Sequence, residues 1–232
     1  MNQTKKTARV AGILYVLAGI TAPFSLIYLP RALIVPGDAT ATADRIRASE
    51  TLLRLGIASE LFGSIIFIFV VLTLYRLFKG VNETHAVAMV TLFLVSVPIS
   101  LLNVLNEIAA LILVGGAPFL SVFDKSQLDA LAYLFLRLHS QGIFVAAIFW
   151  GLWLFPFGLL VIRSGFIPRI LGVFLMIAGF AYPISSLTSL LLPQYGRLVN
   201  QFAMVLEFGE VPIIFWLLIW GAKAQAAEVP RS

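Results

Sequence analysis

The chain has no cysteine, only two histidines among 232 residues, and few charges, with Asp, Glu, Lys and Arg making up 12%. The missing cysteines exclude disulfides, thiolate metal sites and cysteine nucleophiles, and leave the compartment open. No H-E-x-x-H, no G-x-S-x-G and no phosphate-binding loop occurs. Zinc-hydrolase patterns built on several histidines fail on count, because His85 falls in a loop on the inner side. Alternation of period two, which a transmembrane barrel needs, is absent as well.

What is abundant is apolar sequence: 60% hydrophobic residues and a mean hydropathy of +1.00. Soluble domains are about 45–50% apolar and about 25% charged, so this chain suits a bilayer. Six apolar runs stand out, at 8–29, 55–78, 86–114, 131–162, 168–192 and 199–222. Each exceeds the roughly 20 residues that cross a bilayer as helix. Backbone groups in hydrocarbon must bond within their own segment, which makes these runs helices. The expected fold is an all-α polytopic membrane bundle of six transmembrane helices, one domain over 1–232, with an outer loop at 30–51. The first run is too long for a signal peptide, and no small-x-small cleavage site follows it.

Six spans put both termini on one side. With that side cytoplasmic, nine basic residues lie inside: Lys5, Lys6, Arg9, Arg76, Lys79, Arg163, Arg169, Lys223 and Arg231. Six lie outside: Arg31, Arg45, Arg47, Arg54, Lys125 and Arg197. A basic residue thus marks the inner end of every span, which supports an inner (plasma) membrane protein with cytoplasmic termini. The net charge of +5 is read as this topology signal and not as a nucleic-acid surface, because no basic face interleaves with aromatics.

The first and fifth runs align without gaps at an offset of 160. Arg9 meets Arg169, Gly12 meets Gly172, Gly19 meets Gly179, Pro23 meets Pro183 and Ser25 meets Ser185. The third run repeats the Pro-Ile-Ser tail at Pro98. Three parallel helical hairpins follow as an expectation, each with a proline that frees a carbonyl one turn earlier. The glycines of "GVFLMIAG" read as close-packing positions. The aromatic run "FWGLWLFPF" reads as facing lipid and neighbouring helices. The polar loop ends in a short amphipathic helix around "GDATATADRIRASE" and is placed to cap the outer face.

Ionisable residues inside spans are costly and mark sites. Glu60 precedes Arg76 by 16 residues, and Glu207 precedes Lys223 by 16. At about 1.5 Å per residue, both acids lie about 24 Å from the inner end. Glu210 is one turn deeper, with Gly209 and Pro212 available to bend the helix. Glu107 follows Pro98 by nine residues, with Asn103 one turn below and Asn106 beside it. Arg137 and His139 come out further toward the outer surface by the same arithmetic. The expectation is an outward-opening polar pocket, floored by Glu60, Glu207 and Glu210 and roofed by Glu107, Arg137 and His139, with Asn103 nearby. Glu207, Glu210 and His139 are the metal-ligand candidates, although one histidine is thin support for a divalent ion. No cofactor is otherwise expected.

Three functions stay open on these residues. One is binding, with or without transport, of a small cationic or protonatable ligand. Another is an intramembrane enzyme acting on a lipid or lipophilic substrate at the outer leaflet, with Glu207 or Glu210 as base and Arg137 holding a headgroup. The third is a non-catalytic sensor or assembly factor. The balance leans toward ligand binding and away from an enzyme. The bilayer is the expected partner, and nucleic acid is not.

The segment Gly151–Ile184 carries G-x-x-L-F-P-x-G, then R-S-G-F-I-P-R-x-L-G, then A-G-x-x-Y. The start carries R-x-A-G-x-x-Y, and the last run has a glutamate, Glu210, before "WLLIWG". These features resemble a family of bacterial six-helix integral membrane proteins defined only as a domain of unknown function. The resemblance spans nearly the whole chain and implies the six-helix fold but no activity. "RSGFIPR" then reads as a tight inner turn carrying two topology-setting arginines.

Overall fold

The computed structural model describes residues 3–222. Lys223 and Arg231, counted above among the inner basic residues, lie outside them. Six helices are long and apolar enough to cross a membrane: Gln3–Leu33, Glu50–Phe78, Glu83–Gly115, Lys125–Ser164, Arg169–Leu191 and Pro193–Ile219. They correspond one to one with the six apolar runs. Most extend a turn or so beyond the apolar stretch, because hydrogen bonding continues after hydrophobicity stops. Among the described residues there is no strand.

Between the first two spans, Ala39–Ala48 forms a cap helix. Asp38 starts it by accepting a hydrogen bond from the Ala41 amide at 2.8 Å, which satisfies one of the donors a helix start leaves unpaired. The polar loop expected at 30–51 is thus mostly helix.

The prolines act differently from one another. Pro23 opens a π-helical turn, Pro23–Tyr28, whereas Pro98 and Pro183 sit inside uninterrupted α-helices. Pro156 cannot bond the Leu152 carbonyl four residues back, and the fourth span breaks there, into Lys125–Leu152 and Leu154–Ser164. At its end Gly165 takes a left-handed conformation (φ 70°) and Pro168 begins the next helix, which makes "RSGFIPR" the tight turn expected. In the sixth span a single 3₁₀ turn, Phe208–Glu210, separates Pro193–Glu207 from Val211–Ile219. Gly209 and Pro212 lie at that bend, as their chemistry suggests.

The helices contribute to two compact units. One contains residues 3–16, Phe67–Ser96 and 147–222; the other contains Leu17–Ile66 and Val97–Ala146. The first is centred on stacked and edge-on aromatics: Tyr15, Phe67, Phe93, Trp153 and Phe157. Trp153 and Phe157 are fully buried, so this half of "FWGLWLFPF" packs against protein and not lipid. Gly151 and Gly158 of the fourth span face Gly179 and Gly172 of the fifth, each pair with backbone carbonyls in the place a Cβ would take. Helices approach this closely only where side chains are absent. Gly12 abuts the Leu218 backbone in the same way, whereas its neighbour in the repeat alignment, Gly19, faces open space.

The second unit is built on aliphatic residues, among them Leu29, Leu33, Leu53, Val104 and Leu136. The cap helix inserts Ala43 and Ile46 into this core. An ion network fixes it from above. Arg47 pairs with Asp129, which is wholly buried, and with Asp44 at 2.7 Å, and it also donates to the Val114 carbonyl. Lys125 bridges Asp129 at 3.1 Å and Asp44 at 3.2 Å. Nothing in the sequence pattern singles out this network, since its members stand up to 85 positions apart, from Asp44 to Asp129. The Lys125 ammonium, hydrogen-bonded to Asp44, holds that carboxyl below its usual value.

The following outcomes are expected from thermal unfolding in detergent. Gly172→Val, which drives a side chain into the Gly158 carbonyl, lowers stability by about 1–3 kcal/mol, whereas Gly19→Ala is neutral or raises it by about 0.5–1 kcal/mol. Arg47→Met loosens the cap helix and costs about 1–3 kcal/mol, since Asp129 keeps Lys125 but loses a buried donor. Because the Asp44 carboxyl is depressed, its share of the cap's stability is present at neutral pH and is lost as pH falls through that depressed value.

Candidate functional site

Three of the seven expected site residues come together. Glu60 from the second span, Glu107 from the third and His139 from the fourth each present a ligand atom, all within 4.8 Å of one another. All three belong to the aliphatic unit. His139 Nε2 lies 3.2 Å from Glu60 Oε2, and Nδ1 lies 3.9 Å from Glu107 Oε1. Glu107 and His139 are 3% and 7% exposed, and the Glu60 side chain is 13% exposed. The cluster is therefore enclosed, in place of the open vestibule expected. It also has no floor and roof: His139 sits level with Glu60 and in contact with it.

The local sequence explains the placement. Asn103 and Glu107 are four apart and share one helical face. Asn103 donates to the His139 carbonyl at 2.9 Å, and Asn106 donates to Asn103 Oδ1 at 3.0 Å. Gly142 leaves room for the Asn103 amide, which occupies the position its Cβ would take. Asn103 thus ties the third span to the fourth at the level of the histidine and supports the cluster from behind. Arg137 is two residues from His139, about 200° around the helix, and is exposed on the other face. Among the described residues no ion pair joins it to Glu107, Glu207 or Glu210. His139, and not Arg137, is the basic side chain that faces Glu60 and Glu107.

Electrostatics single out two atoms. The imidazole reaches one oxygen of each glutamate. Glu60 Oε1 and Glu107 Oε2 are buried with no hydrogen-bond partner among the described residues. Two carboxylates face at most one positive charge in an apolar surrounding, where unpaired charge is costly.

Glu207 and Glu210 lie in the aromatic unit and are not part of this group. Glu210 accepts a hydrogen bond from the Tyr182 hydroxyl at 3.4 Å. Nearby on the same helices, Ser185 donates to Asn200 at 2.8 Å, and Ser189 also bonds it. Tyr182 was not among the candidates, although it closes the A-G-x-x-Y motif and was visible there. Of the metal-ligand candidates, His139 lies with Glu60 and Glu107 and not with Glu207 and Glu210. A cavity of about 400 Å³ lined by Pro23, Ile27, Tyr28, Arg31 and Ala32 contains none of the candidates.

A stretch of 76 residues is 38% identical to an uncharacterized protein of Archaeoglobus fulgidus, covering 33% of this chain and 44% of that protein. The aligned region thus spans less than half of the relative's length. No solved structure matches. Residues 10–221 match the family described as domain of unknown function DUF4386, and with nearly the whole chain covered, the protein belongs to that family.

Proposed function

We propose that this protein binds a small cation at Glu60, Glu107 and His139. The observation that carries the reading is the pair of buried carboxylate oxygens, Glu60 Oε1 and Glu107 Oε2, left without partners beside an imidazole that faces the other oxygen of each glutamate. Removing an unpaired charge from water costs several kcal/mol, about as much as many whole interaction networks contribute. A cation or a cationic ligand group relieves it. The arrangement gives no comparable support to catalysis, because the cluster's exposure is small.

We also propose that the termini are cytoplasmic, on the strength of the basic residues at the inner span ends. The cap helix and the cation site then belong to the outer half.

The binding reading is tested by thermal shift of purified protein against K⁺, methylammonium, Mg²⁺, Mn²⁺ and Zn²⁺. At least one stabilises the wild type, by about 2.7 kcal/mol when it is at 100 times its Kd, and Glu107→Gln removes the effect. If all leave the wild type unchanged, or shift it and Glu107→Gln alike, the reading is wrong. The cysteine-free chain makes orientation simple to check in intact cells. A membrane-impermeant maleimide labels Ser121→Cys and not Gly80→Cys; the reverse pattern inverts the topology.

A further inference from the structure

We infer that the cation of this site is a divalent first-row transition metal ion, seated between His139 Nδ1 and Glu107, with Glu60 holding the far nitrogen of the ring. The inference rests on the cation-binding reading above and specifies its ligand.

The first support is donor chemistry. An imidazole nitrogen with a carboxylate is a borderline set. Imidazole suits zinc, iron and nickel, carboxylate suits manganese and magnesium, and the overlap is the divalent transition ions. Calcium wants six to eight oxygens. Here Glu107 supplies two, and Asn103 Oδ1 already accepts from Asn106.

Geometry is the second. Bonds of about 2.0–2.2 Å put two ligands of one ion about 3.4 Å apart at a tetrahedral angle and about 4.4 Å apart when opposite. The 3.9 Å gap between His139 Nδ1 and Glu107 Oε1 falls inside that range. It is too long for a hydrogen bond.

The third is orientation of the ring. A carboxylate can only accept, so the contact of 3.2 Å between Glu60 and Nε2 requires the hydrogen on Nε2. That leaves the Nδ1 lone pair facing Glu107. A carboxylate holding the far nitrogen of a metal-bound histidine is the usual supporting arrangement. Glu60 serves this way through Oε2, on the far side of the ring from an ion at Nδ1. Asn103 fixes the backbone beneath the ring. His139 and Glu107 as protein ligands leave positions for water.

The test is direct. Full-length protein in nanodiscs, stripped with chelator and dialysed, is titrated with Co²⁺ and with Zn²⁺, followed by metal analysis and by the ligand-field spectrum of Co²⁺. The expected result is one ion per chain, with the nitrogen-ligated spectrum, and binding at least 10-fold weaker in Glu107→Gln and in His139→Gln. Glu60→Gln weakens it by about 10–100-fold, and Glu207→Gln leaves it unchanged. If folded wild type takes up neither ion stoichiometrically, the metal assignment is overturned, whatever the variants do. If methylammonium, K⁺ or Mg²⁺ then still stabilises the wild type in a Glu107-dependent way, the broader cation-binding reading survives without it. Equal binding of Co²⁺ by wild type and Glu107→Gln also overturns the assignment.

Discussion

A peptide group carried into hydrocarbon keeps its hydrogen bond only if a partner comes with it. The rest of this structure follows from that constraint. Each apolar run becomes one helix, and helices continue past the apolar stretch because their ladders remain intact. Where a ladder is interrupted the cause is a proline, as at Pro156, or a short change of helical pitch, as at Pro23–Tyr28 and Phe208–Glu210. Between helices no hydrophobic force operates in lipid, so close approach depends on side-chain absence. Gly151, Gly158, Gly172 and Gly179 meet that need along one seam.

The same constraint applied to side chains explains the cluster. An ionised carboxylate at this depth requires a counter-charge or hydrogen bonds. Asp129 shows the fully satisfied case, with Arg47 and Lys125 on its two oxygens. Glu60 and Glu107 show a partly satisfied one. They share a single imidazole, and each retains an unpartnered oxygen. The two situations occur in one unit of one protein, and Asp129 and His139 stand ten residues apart on one helix. The contrast is what marks the second as a site and the first as a fastening for the cap helix.

The turn "RSGFIPR" and the bend at Gly209 and Pro212 were legible from sequence because glycine and proline act on their own backbone. Span number and limits were legible for the same local reason: hydropathy is a property of consecutive residues. Depth arithmetic was less successful. It put His139 well outside Glu60 because it assumed straight parallel helices, and the fourth span is broken at Pro156. Azimuth was missed as well. Arg137 and His139 look like neighbours in "FLRLHSQG" but lie on opposite sides of one helix. Depth matched Glu60 with Glu207, yet the contact that exists is with His139, from a different helix.

By itself, then, the sequence determined that the chain is a six-helix bundle for a membrane, where its helices turn, and which few residues carry charge into apolar surroundings. Tertiary structure decided which of these residues meet. Glu60, Glu107 and His139 come from three helices, 47 and 32 positions apart, and their meeting depends on the rotation of each helix about its axis. That rotation is set by packing, including the Asn103 bond to the His139 carbonyl and the space left by Gly142. One sequence carries no record of it, because every face of a lipid-embedded helix is apolar and periodicity gives no direction.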